Sequence, residues 1–178
     1  MTAFISPSLP PLPMHILVLC KRQYTGRDLL DDRYGRLYEI PEQLALAGHE
    51  VTGRVISYRR RGALRTCSPA GVSWHSTDLL SGGFIPVSRA IRADALPDVI
   101  WAGSDIPMCL FGMRLGRQLG VPVVLDLYDN YEAFGLARIP GMAAAFRRAC
   151  SDASGLTVVT QALADYLASQ HGRRLPIT

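Results

Sequence analysis

Hydrophobic and polar positions alternate along the chain in a pattern typical of buried strands separated by amphipathic helices. A near-continuous apolar run, which suits a strand covered on both faces, occupies residues 14–20, and further strands are predicted at 50–57, 98–102, 121–127 and 156–159. A shorter strand is predicted at 72–75. Apolar residues at helical spacing predict helices over 37–47, 84–95, 143–153 and 162–169. This alternation predicts an α/β fold with a mostly parallel sheet and helices on both of its faces.

Glycine, proline and polar residues indicate where the helices begin and end. Gly48 follows the first helical pattern, where a left-handed C-cap is typical. Pro41 lies inside that pattern and predicts a kink or a late start, because proline removes a backbone donor. A further helix, with Pro107 in its first turn, is predicted to be capped by Ser104 or Asp105.

The length of 178 residues suits one domain. We expect a flexible proline-rich lead over 1–13 and a single domain over 14–178, with a further strand beginning at 173–178. No apolar run approaches the roughly 20 residues that span a bilayer. The lead also lacks the basic and long apolar segments of a signal peptide, so we expect a cytoplasmic protein.

The cysteines, the histidines and the net charge limit the kinds of site and partner that the sequence predicts. The four cysteines are widely separated and the histidines are isolated, so the pattern predicts neither a metal site nor a disulfide framework. The net charge is +4 and Lys21 is the sole lysine, so the cations are almost all arginines, which favours an anionic partner. Aromatic residues do not interleave with basic ones, which argues against nucleic acid. We interpret the arginine runs at 59–61, 147–148 and 173–174 mainly as solvated surface.

The segment between the first strand and the first helix is long for such a connection, which usually takes about 2 to 6 residues. It contains Arg22, Arg27 and Arg33, and Arg36 follows it. Gly35 lies directly before the first helix, where backbone can approach a phosphate. A mobile surface loop is the alternative interpretation. The glycine patterns of dinucleotide folds and of P-loops are absent from the sequence.

Acidic and aromatic residues follow the strand at 121–127. Asp126, Asp129 and Glu132 could supply a general base or accept hydrogen bonds from sugar hydroxyls. Tyr128 and its neighbour Tyr131 could stack on a sugar ring. The alternative is a solvated turn in which Asp129 or Asn130 acts as a cap.

Other polar residues follow two further strands of the predicted sheet. Ser104 and Asp105 come after the strand at 98–102, and Thr160 follows the strand at 156–159. Because parallel strands end at one edge of a sheet, these residues and the acidic segment are predicted to share a crevice.

The order of motifs resembles the amino-terminal, acceptor-binding domain of family-4 glycosyltransferases of GT-B fold. The motifs are MHILVLC at 14–20, RLYEIPEQLALAGHEV at 36–51, PDVIWAG at 97–103, VPVVLDLYDNYE at 121–132 and SGLTVVTQALADYL at 154–167. The resemblance covers 14–178 and implies a three-layer Rossmann-like domain, one half of a GT-B enzyme. It implies that a donor-binding domain follows Thr178, that a nucleotide sugar is the substrate without any cofactor, and that this half alone is inactive. It further suggests retention at the anomeric centre and a glycan, lipid-linked or other hydroxyl acceptor.

The resemblance also implies roles for individual residues. Gly35 resembles the first-loop glycine that faces the donor diphosphate, with Arg33 and Arg36 beside it. Tyr128 falls where many members have a catalytic histidine, and Asp129 matches the acid after it. Asp126 or Asp129 would then have to replace that histidine, or the chemistry would rely on the donor side. From their places in the first loop and after the strands, and not from the resemblance, the residues expected to bind the acceptor are Arg22, Ser104, Asp105, Asn130, Glu132 and Thr160.

A second function class stays open at this level. A non-catalytic binding module could dock a catalytic partner at the edge of its sheet. It could also contact the inner face of the membrane peripherally through the arginine runs.

Overall fold

The computed structural model of the chain describes residues 12–24 and 26–171. Seven strands form one sheet, and these are β1 (His15–Lys21), β4 (Glu50–Ser57), β5 (Leu64–Cys67), β6 (Ser73–Asp78), β7 (Val99–Gly103), β8 (Val123–Leu127) and β9 (Gly155–Val158). A separate two-stranded ladder joins β2 (Gln23–Tyr24) to β3 (Arg27–Asp28). The helices are α1 (Arg36–Leu46), α2 (Phe84–Ala93), α3 (Ile106–Leu119), α4 (Met142–Asp152) and α5 (Gln161–His171). Short 3₁₀ turns lie at Leu79–Ser81, Tyr131–Ala133 and Gly135–Arg138.

The strand order is β5-β6-β4-β1-β7-β8-β9, and all neighbours are parallel except β5 and β6. From the central strand β1 the chain first builds outward through β4 and then returns to β7 on the other side. The sheet therefore has its topological switch point between β1 and β7, where open α/β sheets bind ligands at the carboxyl ends of the strands.

Two apolar cores separate the layers. Leu19, Ile100 and Leu125 face one side of the sheet, and they belong to a buried cluster that includes Met108 of α3 and Phe146 of α4. On the other side, a second cluster packs around α1, and it contains Val18, Val55, Trp74 and Leu37. The α/β class with a mostly parallel sheet between helices is confirmed.

The observed elements correct several sequence-based boundaries. The first helix begins at Arg36, ahead of Pro41, so the predicted late start is wrong. Gly48 has a φ of +95°, which agrees with its expected place after the helix end. Strand β5 and the β2–β3 ladder were not predicted, because they are short and carry no apolar run.

Some expectations fall on residues that are not described. The strand at 173–178 and all but the end of the proline-rich lead lie outside the described residues. Within the described ranges, no helix is long and apolar enough to cross a membrane.

Candidate functional site

A cavity of about 300 Å³ opens at the carboxyl edge of the sheet, beside the switch point. Four of its residues stand at the ends of β1, β4, β7 and β8, and we call it the carboxyl-edge cavity. It is lined by Lys21, Tyr58, Ser104, Asp105, Ile106, Tyr128, Tyr131, Phe134 and Leu136. Its volume and its mixture of aromatic walls with a few polar groups suit a small-molecule site.

Asp105 is the carboxylate that lines this cavity, and it also begins α3. One of its oxygens accepts a hydrogen bond from the Met108 N–H at 3.0 Å, which is the N-cap geometry. Its other oxygen lies 3.8 Å from the Lys21 Nζ. Burial raises the pKa of Asp105, although the Met108 N–H and Lys21 oppose that shift. Burial also raises the pKa of the Tyr58 phenol, and the nearby Asp105 adds to that shift. Asp105 can therefore accept a hydrogen bond from a ligand hydroxyl.

Ser104 joins three elements beneath the cavity and is only 1% exposed. Its Oγ accepts from the Lys21 N–H at 2.9 Å, and its own N–H donates to the Tyr131 hydroxyl at 3.1 Å. Its carbonyl accepts from the Tyr128 hydroxyl at 3.0 Å. The φ of Ser104 is +92°, a conformation that is uncommon outside glycine. These bonds commit its backbone groups to the scaffold of the cavity.

Three tyrosines connect the carboxyl-edge cavity to the start of α1. The Tyr128 ring lies edge-on to Tyr24, with centroids 4.9 Å apart, and to Tyr131, with centroids 5.5 Å apart. Tyr131 is buried and donates its hydroxyl to the Asp126 carbonyl oxygen at 3.2 Å. Burial raises the pKa of the Tyr128 phenol, so this side chain stays protonated and cannot act as a base at neutral pH. Both predicted stacking residues line the cavity, and the half-buried Tyr128 is more exposed than Tyr131.

Asp126 lies beneath the surface and has no exposed area. Its Oδ1 accepts hydrogen bonds from the Arg36 Nη2 and the Thr157 Oγ1, both at 2.6 Å. Its Oδ2 has no hydrogen-bond partner among the described residues. Burial raises the pKa of this carboxyl group, and the bonds from Thr157 and Arg36 oppose the shift. The structure therefore places Asp126 where it holds Arg36, and not where a substrate could reach it.

The amino end of α1 lies beside the same tyrosines. Gly35 precedes the helix with a φ of +84°, and a Cβ there would come within 2.2 Å of the Tyr24 ring. Only glycine fits this position without a shift of backbone or ring. Arg36 is the first helical residue, and Arg33 is exposed on the loop before it. The free N–H groups of a helix start and these guanidinium groups form a site suited to an anion.

Arg22 occupies a different environment from the one predicted. Its Nε lies 2.9 Å from both carboxylate oxygens of Asp28, and its Nη2 lies 2.9 Å from Asp31. The residue is 3% exposed and does not line the carboxyl-edge cavity. Its guanidinium fixes the first loop, which also buries Leu29 and Leu30. The loop is therefore packed against the protein, contrary to the alternative of a mobile surface loop.

The remaining predicted residues stand apart from the cavity lining. Asp129 is exposed and accepts from the Asn130 N–H at 2.7 Å, and Asn130 caps the turn at Tyr131–Ala133. Glu132 pairs with Arg147 at 2.7 Å. The Thr160 Oγ1 accepts from the Leu163 N–H at 3.2 Å, at the start of α5. The structure brings Ser104, Asp105 and Tyr128 together and leaves these four outside.

Sequence analysis missed five cavity residues, of which Ile106 is the first residue of α3. Lys21 ends β1 and Tyr58 follows β4, so the rule that singled out Ser104 could have found both. Phe134 and Leu136 come from the 3₁₀ turns after β8, and no local pattern placed them at the cavity.

The described residues hold no group of three histidine, cysteine or acidic side chains placed to bind a metal ion. The candidate site consists of the carboxyl-edge cavity and the adjoining amino end of α1.

The fold of the chain is similar to that of several solved structures. Arabidopsis thaliana UGT89C1 complexed with UDP matches with a TM-score of 0.61 and 14% identity, over 93% of this chain and 51% of that one. A UDP-N-acetylglucosamine 2-epimerase matches with a TM-score of 0.57 and 11% identity, over 93% of this chain and 47% of that one. An E. coli structure described as trehalose-6-phosphate bound with UDP-2-fluoro glucose matches with a TM-score of 0.50 and 16% identity, over 88% of this chain and 42% of that one. The chain thus spans about half the length of these proteins.

No curated protein sequence matches the chain. The family model for the glycosyl transferase 4-like domain matches residues 36–178, which is most of the chain. The chain therefore belongs to the glycosyl transferase 4-like domain family and has the fold of one Rossmann-like half of a GT-B glycosyltransferase.

Proposed function

We propose that this domain binds the acceptor in an enzyme that transfers a sugar from a nucleotide-sugar donor to a hydroxyl acceptor. The observation that carries the proposal is the contact between Tyr24 and Tyr128, which places the amino end of α1 next to the carboxyl-edge cavity. A site for an anion and a site for a hydroxyl compound thus adjoin at one edge of the sheet. The family match favours a transferase over a non-catalytic module.

The acceptor enters the carboxyl-edge cavity in this proposal. Asp105 accepts a hydrogen bond from the acceptor hydroxyl, and Tyr128 provides an aromatic wall. Phe134 and Leu136 are 50% and 40% exposed where they border the cavity. Exposed apolar side chains at this place suit an acceptor with an apolar part, such as a lipid-linked sugar, and hence a peripheral position at a membrane.

The donor diphosphate lies at the amino end of α1 in this proposal. Negative charge grows on the diphosphate as the glycosidic bond breaks, and the N–H groups after Gly35, together with Arg36 and Arg33, stabilise it. Asp126 and Thr157 hold Arg36 in place, so little reorganisation is needed during the reaction. A second domain supplies the remaining contacts to the nucleotide sugar, and the chemistry requires no cofactor. Solved structures of similar fold are described with UDP or UDP-sugars, which supports a UDP-sugar as the donor.

Calorimetry on the full-length protein encoded by the gene tests the donor part. We expect saturable binding of UDP-glucose or of another nucleotide sugar in a panel of UDP- and GDP-sugars, with an affinity that falls at high salt. Absence of binding to every member of the panel would contradict a donor role. Nuclear magnetic resonance of the product then gives the anomeric configuration, for which we expect retention.

A further inference from the structure

A second cavity, of about 440 Å³, lies between the β4–β6–β5 side of the sheet and α2. It shares no lining residue with the carboxyl-edge cavity. Its apolar wall consists of Ala63, Leu64 at the start of β5, and Pro86, Val87 and Ala90 on α2. Its polar wall contains two arginines and a histidine, so we call it the basic cavity.

The register of the sheet brings the three basic residues together. Arg54 of β4 pairs with His75 of β6, and His75 pairs with Arg65 of the antiparallel strand β5. Directly paired residues project from the same face of a sheet, with Cβ atoms about 4.5–5.5 Å apart. Arg54, His75 and Arg65 therefore form a row across three adjacent strands. Two guanidinium groups and the imidazole between them thus line one cavity.

The nitrogen atoms of this row are incompletely paired. Arg54 is 8% exposed and uses its Nη2 to bind Asp94 at the end of α2. Its buried Nε and the buried Nδ1 of His75 have no hydrogen-bond partner among the described residues. Arg65 forms no ion pair within the same part of the chain. A buried polar atom without a partner costs free energy, and the exposed guanidinium of Arg65 is accessible to a ligand in the cavity.

The cavity lining contains no carboxylate, and Asp94 balances only one of the two guanidinium groups. Guanidinium groups bind oxyanions through paired N–H bonds, and a phosphate group offers one more terminal oxygen than a carboxylate to a row of three donors. The space exceeds that of a bare phosphate, and its apolar wall can cover an organic group. We propose that the basic cavity is a binding site for a small organic phosphate, separate from the carboxyl-edge cavity.

His75 offers a spectroscopic signal for this site. Burial lowers the pKa of its imidazole, and the charges of Arg54 and Arg65 lower it further, while Asp94 on α2 opposes them. A phosphate bound against the row adds negative charge and favours the protonated imidazole. The pKa of His75 should therefore rise when the ligand binds.

Phenyl phosphate is a suitable probe, because it combines a phosphate monoester with an apolar ring. Titration of the full chain, followed by calorimetry and by the imidazole resonances of His75, should give saturable binding and a higher pKa for His75. Phenol, which lacks the phosphate, should not bind. An unchanged pKa of His75 at saturating phenyl phosphate would overturn the proposal.

Two matched variants distinguish this site from general attraction to a basic protein. Arg65→Gln removes an exposed guanidinium that makes no ion pair, so the fold should persist, and we expect binding to weaken about tenfold or more. Arg117→Gln removes a comparable exposed arginine from the last turn of α3, and we expect binding within about twofold of the wild type. Equal affinities for both variants would contradict the proposal, since phosphate would then bind elsewhere, for instance at the start of α1. The outcome does not depend on whether the protein transfers sugars.

Discussion

At the scale of single residues, Ser104 and Tyr128 show how a polar segment after a strand can be structural. The Tyr128 hydroxyl donates to the carbonyl of Ser104, a residue that is almost completely buried. The position to which the family resemblance assigns a histidine thus holds a phenol that joins β8 to β7. The same side chain forms one wall of the carboxyl-edge cavity.

We expect Tyr128→Phe to lower the free energy of unfolding by about 1–2 kcal/mol, because the Ser104 carbonyl then has no donor. Urea denaturation measures the change. Tyr34→Phe is the matched control, since Tyr34 is exposed and its hydroxyl makes no hydrogen bond with the described residues. Equal stability of Tyr128→Phe and Tyr34→Phe would mean that the bond to Ser104 contributes nothing.

Asp105 combines a helix cap with a carboxylate whose pKa is raised by burial. Because its pKa is higher in the folded state than in the unfolded state, its contribution to stability is present at low pH and is lost as pH rises through the folded value. Asp105→Asn keeps a good cap and does not titrate. We therefore expect this variant to match or exceed the wild-type unfolding free energy at pH 7, with the difference disappearing near pH 4 or below.

The same variant tests the proposed acceptor role. In the full-length enzyme, Asp105→Asn should raise the KM for the acceptor about tenfold and leave the KM for the nucleotide sugar unchanged, because Asp105 lies in the cavity and not at α1. Asp129→Asn is the control, since Asp129 is exposed and does not line the cavity. A change in the donor KM alone would contradict the assignment.

At the scale of elements, α3 depends on close packing against β7. Gly112 lies on the helix face toward the sheet, and a Cβ there would come within 2.5 Å of the Ala102 Cβ. Because α3 begins at Asp105, the same packing sets the position of the carboxylate in the carboxyl-edge cavity.

We expect Gly112→Ala to destabilise the protein by about 1–3 kcal/mol, because helix and strand must separate to admit the methyl group. Gly135→Ala is the control, since a Cβ at Gly135 would meet nothing within 4 Å. Thermal or urea unfolding compares the two variants. If Gly112→Ala were as stable as Gly135→Ala, the contact between α3 and β7 would not be close-packed.

At the scale of the whole molecule, the order of the strands in the sheet brings polar residues from distant parts of the chain to one edge. The central position of β1 brings Lys21 beside Ser104, and the parallel run of β7 and β8 brings Tyr128 to the same level. The basic cavity lies elsewhere, where the antiparallel strand β5 adds Arg65 to a row begun by β4 and β6. One sheet therefore borders two cavities of different character, a mixed aromatic cavity at its carboxyl edge and a basic one under α2.

The sequence by itself determined the fold class and most element positions. The strands predicted at 50–57 and 98–102 are observed as β4 and β7, and the helix ends at Gly48 and Asp105 reflect local backbone geometry. It also located Gly35 before the first helix and the cluster of polar residues after β7 and β8. These features depend on periodicity and on neighbouring residues, which a sequence records directly.

Only the tertiary structure decided which polar residues face a cavity. Asp126 and Asp129 look alike in the sequence, yet one is buried against Arg36, 90 positions away, and the other is exposed. Arg54 likewise stands in a row whose other members belong to β6 and β5. Burial and ion pairing depend on residues that are distant in the chain, so strand order and packing determine them, and local pattern does not.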